Sequence, residues 1–208
     1  MSGIVVVGAG GRVGRAVVAE AVRRGHEVTA GVRSPERHTD LAGEGVRVLR
    51  VDAVDPASVR EAARGRGALV STVYDQGSDP SVFFPANARA LVEGAAGAVR
   101  LVHVGLAPLL PTAAGTPLMD EPGYPDHRAF FAAHAAALEV LSGSGAADWV
   151  ALSPAGDFDR ESAPTGRYRV APGAADSTIT AEDFALAVLD EIEDPRHHRV
   201  HIGVEGVR

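Results

Sequence analysis

The 208-residue sequence predicts an α/β fold: a doubly wound parallel sheet within a single domain, residues 1–208. Three observations predict it. Short apolar, β-branched runs alternate with longer helix-like segments along the chain. Those runs are continuous rather than alternating, as in strands covered by helices on both faces. The first of them passes through glycines straight into a helix pattern.

Taken in order, strands are expected at Gly3–Val7, Glu27–Gly31, Val46–Arg50, Ala68–Thr72, Leu101–Gly105, Trp149–Leu152 and Arg199–Ile202, each bounded by Gly, Pro or Asp. Helices are expected between them at 12–24, 57–64, 81–93, 126–142 and 180–193. The last has a capping signal, Thr180-Ala-Glu-Asp183, and a stop at Pro195. Segments 74–80, 106–125 and 153–178 are rich in Pro, Gly and Asp and follow the ends of strands four, five and six. Ligands of open α/β sheets bind beyond those ends, so the three loops are expected to form a small substrate-side lobe. Short extended pieces are expected inside the last one, at Arg167–Ala171 and Ser177–Ile179.

Composition narrows the chemistry. The chain has no cysteine, which excludes disulfides, thiol nucleophiles and thiolate metal sites. All 20 of its basic residues are arginine. Schiff-base chemistry and the phosphate-loop lysine of NTPases are excluded with lysine. Net charge is −7. Residues 1–100 carry 13 Arg against 11 acids, while 101–208 carry 7 Arg against 16. Such a chain, without an arginine cluster, is not expected to bind nucleic acid. No apolar stretch approaches the ~18 residues of a membrane span and no signal-peptide pattern opens the chain, so a cytoplasmic location is expected.

The strongest motif is Ile4-Val-Val-Val-Gly8-Ala-Gly10-Gly11-Arg12-Val13-Gly14. Its G-x-x-G-x-x-G spacing gives Gly8 the tight turn, Gly11 the close approach of a pyrophosphate and Gly14 the packing of helix on sheet. The amides of Arg12 and Val13 would face the phosphates at the positive end of the helix. This predicts dinucleotide binding. Arg33, with Ser34, ends the second strand at the distance where an acid would accept the ribose hydroxyl of NAD. A guanidinium beside a hydroxyl suits a 2′-phosphate, so NADP is expected over NAD. Asp52, followed by Ala53, ends the third strand, where it would accept from the adenine amino group or simply close a turn.

These residues resemble a family. The glycine turn, Val32-Arg33-Ser34-Pro35, Val51-Asp52 and Leu101–Gly105 are similar to the atypical short-chain dehydrogenase/reductases. Asp148-Trp149, Leu152-Ser153-Pro154, Phe158, Thr165-Gly166-Arg167-Tyr168-Arg169 and Glu182-Asp183-Phe184-Ala185 resemble, more narrowly, the bacterial NAD(P)H-binding proteins named for NADH-flavin reductase. The resemblance spans nearly the whole chain. It implies a nicotinamide cofactor, with Thr72 and Val73 at its ribose and Gly105 and Pro154 at the nicotinamide.

The chain departs from the wider superfamily at its Tyr-x-x-x-Lys pair. The best alignment is Phe130-x-x-x-His134, which leaves His134 to touch the ribose or relay a proton, or to be a core-edge histidine on the face of Phe130, Leu138 and Leu141. Tyr124-Pro-Asp-His-Arg128 has the right offset but ends in an arginine, which does not give up a proton. The serine or threonine that polarises a carbonyl is missing after Val102-His103-Val104. His197, His198 and His201 do not make a metal site, because a strand would send 198 and 201 to opposite faces. Without a dedicated acid, the expected activity is NADPH-dependent hydride transfer to a small flavin-like or quinone-like acceptor, which delocalises the charge it receives. Tyr74, Leu106, Tyr124 and Phe158 are expected to wall that acceptor. The alternatives are a non-catalytic NADP-binding module that reports redox state to a partner protein, and an isomerase or epimerase holding NADP tightly.

Overall fold

The computed structural model describes residues 3–95, 99–145 and 148–207. Its elements follow in the order β1 (Gly3–Val7), α1 (Arg12–Arg23), β2 (Glu27–Val32), β3 (Val46–Arg50), α2 (Pro56–Ala63), β4 (Ala68–Ser71), α3 (Pro80–Gly94) and β5 (Arg100–Val104). After a long loop come α4 (Arg128–Gly143), β6 (Asp148–Pro154), β7 (Asp157–Asp159), β8 (Tyr168–Ala171), β9 (Thr178–Thr180), α5 (Ala181–Glu193) and β10 (Val200–Gly206). Eight strands form one sheet in the order β3-β2-β1-β4-β5-β6-β10-β8, and β7 pairs with β9 in a small second sheet. Every pairing in the large sheet is parallel except β8 against β10. The predicted doubly wound sheet is therefore present.

Two apolar layers hold it. Ile4, Val6, Val28, Ala30, Val102 and Val150 bury one face of the sheet against Val17, Val18 and Ala21 of α1 and Phe184, Val188 and Leu189 of α5. Val5, Val7, Leu69, Leu101 and Trp149 bury the other against α2, α3 and α4 through Val59, Phe84, Leu91, Ala137 and Leu141. Adjacent residues of β1 thus enter opposite cores, which is why its sequence is a continuous apolar run.

The expected element boundaries hold to within a few residues, and β6 and β10 each run to seven residues. The expected extended pieces appear as β8 and β9. β7 was not expected, because three residues carry too little periodicity to mark a strand. The last expected strand begins after His198, so the alternation of faces between 198 and 201 does not apply. His198 instead meets the Asp148 carboxylate at 2.8 Å, and His197 meets Glu191 at 2.6 Å.

Candidate functional site

The site is built on the C-terminal ends of β1, β2 and β4. Gly8 leaves β1 at φ +88, a backbone that L side chains avoid, and a Cβ there would lie 2.9 Å from the Thr72 hydroxyl. Its amide and that of Ala9 both donate to the Gly31 carbonyl, at 3.0 and 3.2 Å. The Thr72 hydroxyl donates to the Gly8 carbonyl at 3.1 Å and the Val7 carbonyl at 3.3 Å, fixing the turn from the β4 side. A Cβ on Gly14 would fall 2.3 Å from the Gly8 carbonyl oxygen, so α1 rests directly on the turn. At Gly10 the intruder is the His38 imidazole, 2.4 Å from an ideal Cβ. That glycine makes room for a side chain of the chain itself.

Gly11 differs. A Cβ there would meet the Gly8 carbonyl alone, at an ordinary 3.4 Å, so the protein's own packing does not require glycine. Gly11 is also the N-cap of α1, and no side chain caps that helix or places an acid in its first turn. By contrast Asp55, Asp79 and Thr180 cap α2, α3 and α5 with their own oxygens. The first-turn amides of α1, including those of Arg12 and Val13, are thereby left to an acceptor from outside, at the positive end of the helix dipole. An open approach over Gly11 and an uncapped helix start fit a pyrophosphate.

The surrounding walls are tied across the sheet. Arg33, 70% exposed at its side chain, donates from Nη1 to Asp75 Oδ2 at 2.8 Å. Ser34 opens the short helical turn Pro35–Arg37 beside it. The Asp52 carboxylate accepts from the Val54 amide at 3.0 Å, so it closes a turn. The Ala53 carbonyl accepts from Asn87 Nδ2 at 2.7 Å, and Asn87 Oδ1 accepts from the Ser71 hydroxyl at 3.3 Å. Fully buried Asn87 of α3 thus braces the β3 and β4 ends together. Asn87 is not among the residues expected from the sequence, although a lone amide in a stretch, 83–91, whose only charge is Arg89 is a signal. Nor are His38 and Asp75, for which no local signal exists.

Farther along the sheet edge, a Cβ on Gly105 would lie 2.8 Å from Ser153 Oγ and 3.1 Å from His201 Nε2, which are themselves 2.7 Å apart. Pro154 ends β6 next to Val204 of β10. The four expected wall residues do not form one surface. Tyr74 meets Phe130 edge-on at 6.1 Å, Phe130 meets Phe131 at 6.4 Å, and Phe131 meets Tyr124 at 6.1 Å, giving one aromatic chain. Leu106 lies half-buried on the loop that leaves β5. Val73, partly buried, packs against the core layer on the α2–α4 side of the sheet. Phe158 turns to the opposite core, where it packs against Phe184 at 5.1 Å and lies under the Arg12 guanidinium at 5.3 Å. Arg12 also donates to the Asp159 carbonyl at 3.2 Å. Phe158 therefore supports the glycine turn rather than the Tyr74 wall, because β7 pairs with β9 beside α5.

His134 sits between Phe84, at 3.7 Å between ring centres, and Phe130, at 4.7 Å. Both of its ring nitrogens are buried without a hydrogen-bond partner. Burial, and then His103, push its pKa down to about 3. Burial likewise takes His103 down to about 4, and burial and then His103 take His201 to about 4. All three are neutral imidazoles at ordinary pH. Among the described residues no group of three His, Cys, Asp or Glu side chains is placed to hold a metal ion.

Comparison with known proteins agrees with this geometry. The model of a family described as NAD(P)H-binding matches residues 8–195. An uncharacterized protein of Bacillus subtilis, YwnB, is 30% identical over 206 residues, covering 92% of each chain. A Streptococcus pneumoniae protein provisionally named an NADH-flavin reductase superposes with TM-score 0.84 at 26% identity, covering 100% of both chains. A Bacteroides thetaiotaomicron protein provisionally named an epimerase gives TM-score 0.84 at 31% identity, covering 100% of this chain and 98% of its own. With the glycine turn, the uncapped helix behind it and the doubly wound sheet all in place, the chain belongs to the NAD(P)H-binding family.

Proposed function

We propose that the protein is an NADPH-dependent reductase of a small, charge-delocalising acceptor such as a flavin or quinone. The observation that carries the nucleotide part is the open side of Gly11 ahead of the uncapped α1. When bound, the reduced nicotinamide supplies a hydride. The chain's own residues bind and orient: α1 amides at the pyrophosphate, Arg33 with Ser34 at the 2′-phosphate, Thr72 and Val73 at the ribose, Gly105 and Pro154 at the ring. The lysine-free sequence and a neutral, enclosed His134 supply no strong acid, which suits an acceptor that needs none. Tyr74, whose ring is exposed at the end of β4, gives such a flat molecule a face to stack on. A Streptococcus pneumoniae relative named for flavin reduction supports the same reading. A cytoplasmic setting, where NADPH is kept reduced, belongs to it; among the described residues no helix is long and apolar enough to cross a membrane.

Two measurements test it. Calorimetry should show NADPH binding more tightly than NADH, with Arg33→Ala weakening NADPH alone by about 10- to 100-fold, the value of a charge-assisted contact. Equal affinities in the wild type, with neither changed by Arg33→Ala, would remove the NADP assignment. Steady-state NADPH oxidation with FMN, riboflavin and a soluble quinone should show turnover; tight binding with no turnover on any of them would favour a redox-reporting module instead.

A further inference from the structure

Arg33 leaves β2 and Asp75 leaves β4, the two strands that flank β1 in the sheet. Their 2.8 Å ion pair therefore crosses above the end of β1, over the glycine turn where the adenosine half of a dinucleotide must lie. The partners are unequal. Asp75 is only 13% exposed at its side chain and is held in place, Oδ1 accepting from the Gly77 amide at 3.1 Å and Oδ2 from the Ser78 hydroxyl at 2.8 Å. Arg33 is 70% exposed and bound there through one Nη alone, so the carboxylate is the fixed partner and the guanidinium the mobile one. The two arginines nearest the turn are committed elsewhere: Arg12 lies over Phe158, and Arg15 pairs with Asp40. Arg50 donates its Nη1 to the Arg33 carbonyl at 2.7 Å and reaches Glu36 at 3.2 Å. A phosphate dianion approaching Arg33 thus meets a guanidinium already neutralised by a preplaced carboxylate, and that carboxylate repels it.

We propose that Asp75 sets the cofactor preference by competing with the 2′-phosphate of NADPH for the Arg33 guanidinium, damping a selectivity that Arg33 alone would make steep. The proposal rests on the NADPH reading given above. NADH brings no phosphate to this point and does not disturb the tie, so Asp75 costs NADPH affinity and leaves NADH affinity unchanged.

The test is calorimetric titration of NADPH and NADH into wild type, Asp75→Asn, Asp75→Ser, Asp75→Glu and Arg33→Ala, with circular dichroism to check folding. Asp75→Asn should tighten NADPH by about fivefold, the scale of one exposed ion pair, with NADH unchanged. Asp75→Ser, which keeps an oxygen for the Gly77 amide, should move the same way, and Asp75→Glu, which keeps the charge, should restore the wild-type ratio. If wild type prefers NADPH and Arg33→Ala removes that preference, yet neither neutral variant changes the ratio, Asp75 plays no part and the NADPH reading stands. If wild type binds both cofactors equally and Arg33→Ala changes neither, the NADPH reading fails and the proposal with it.

Discussion

Individual residues around the turn divide by what each glycine makes room for. A methyl on Gly14 collides with backbone, whereas a methyl on Gly11 makes one ordinary 3.4 Å contact with the Gly8 carbonyl. Gly14→Ala should therefore lower stability by about 1–3 kcal/mol, as overpacking does, because helix α1 must lift off the turn. Gly11→Val should instead keep the wild-type melting temperature and lose NADPH. Thermal unfolding with fluorescence titration reads both, and a Gly11→Val protein that binds NADPH normally would make the turn merely structural. The aromatic residues divide in the same way. Tyr74→Ala should raise KM for a flavin several-fold with little change in kcat, while Phe158→Ala should weaken NADPH through Arg12, which it supports. His134→Leu should leave flavin turnover within about tenfold of wild type. A loss beyond about 10²-fold, with folding and NADPH affinity intact, would make it a general acid and point to a carbonyl substrate.

At the scale of elements, most starts and stops are local chemistry. Asp55, Asp79 and Thr180 each place an oxygen on an amide of the helix they open, and Pro56 and Pro80 occupy the first helical positions. α3 even keeps Pro85 within it, one turn after Ser81. What joins the elements is less local. Asn87 satisfies the Ala53 carbonyl and the Ser71 hydroxyl from inside α3, linking three segments with one amide. Asn87→Ala should cost about 1–3 kcal/mol, the penalty for buried polar groups left without partners. Urea unfolding measures that cost, and a change below about 0.5 kcal/mol would mean that water replaces the amide.

Across the whole molecule, one row of the sheet carries polar side chains through the core. Ser71, His103, Ala151 and His201 are register partners on β4, β5, β6 and β10. His103, His201 and His134 have folded pKa values of about 4, 4 and 3, below the 6.5 of a free imidazole. The unfolded chain therefore binds their protons first, and stability rises with pH. It should be fully present above pH ~6.5 and fall as pH drops toward ~4, by up to about 4 kcal/mol per unit where all three sites are charged only in the unfolded chain. Urea midpoints between pH 7.5 and 5 test this. His134→Leu should make the slope shallower by about a third, and a flat profile would show that the imidazoles are not buried as described.

The features whose physics is local can be read from the chain alone. The apolar runs on β1, β2 and β4, the left-handed turn at Gly8 and the helix caps follow from neighbours a few residues apart, so the sheet, its helices and the nucleotide turn are legible in the sequence. Arg33 at the end of β2 is legible too, as a charge at a spacing. What those residues face is settled by tertiary contacts instead. Arg33 meets Asp75, Gly10 meets His38, and Phe158 turns toward α1 and α5 instead of joining Tyr74. Each of these depends on strand order and on the side from which a crossover returns. They connect positions tens of residues apart, and no local periodicity or propensity encodes them.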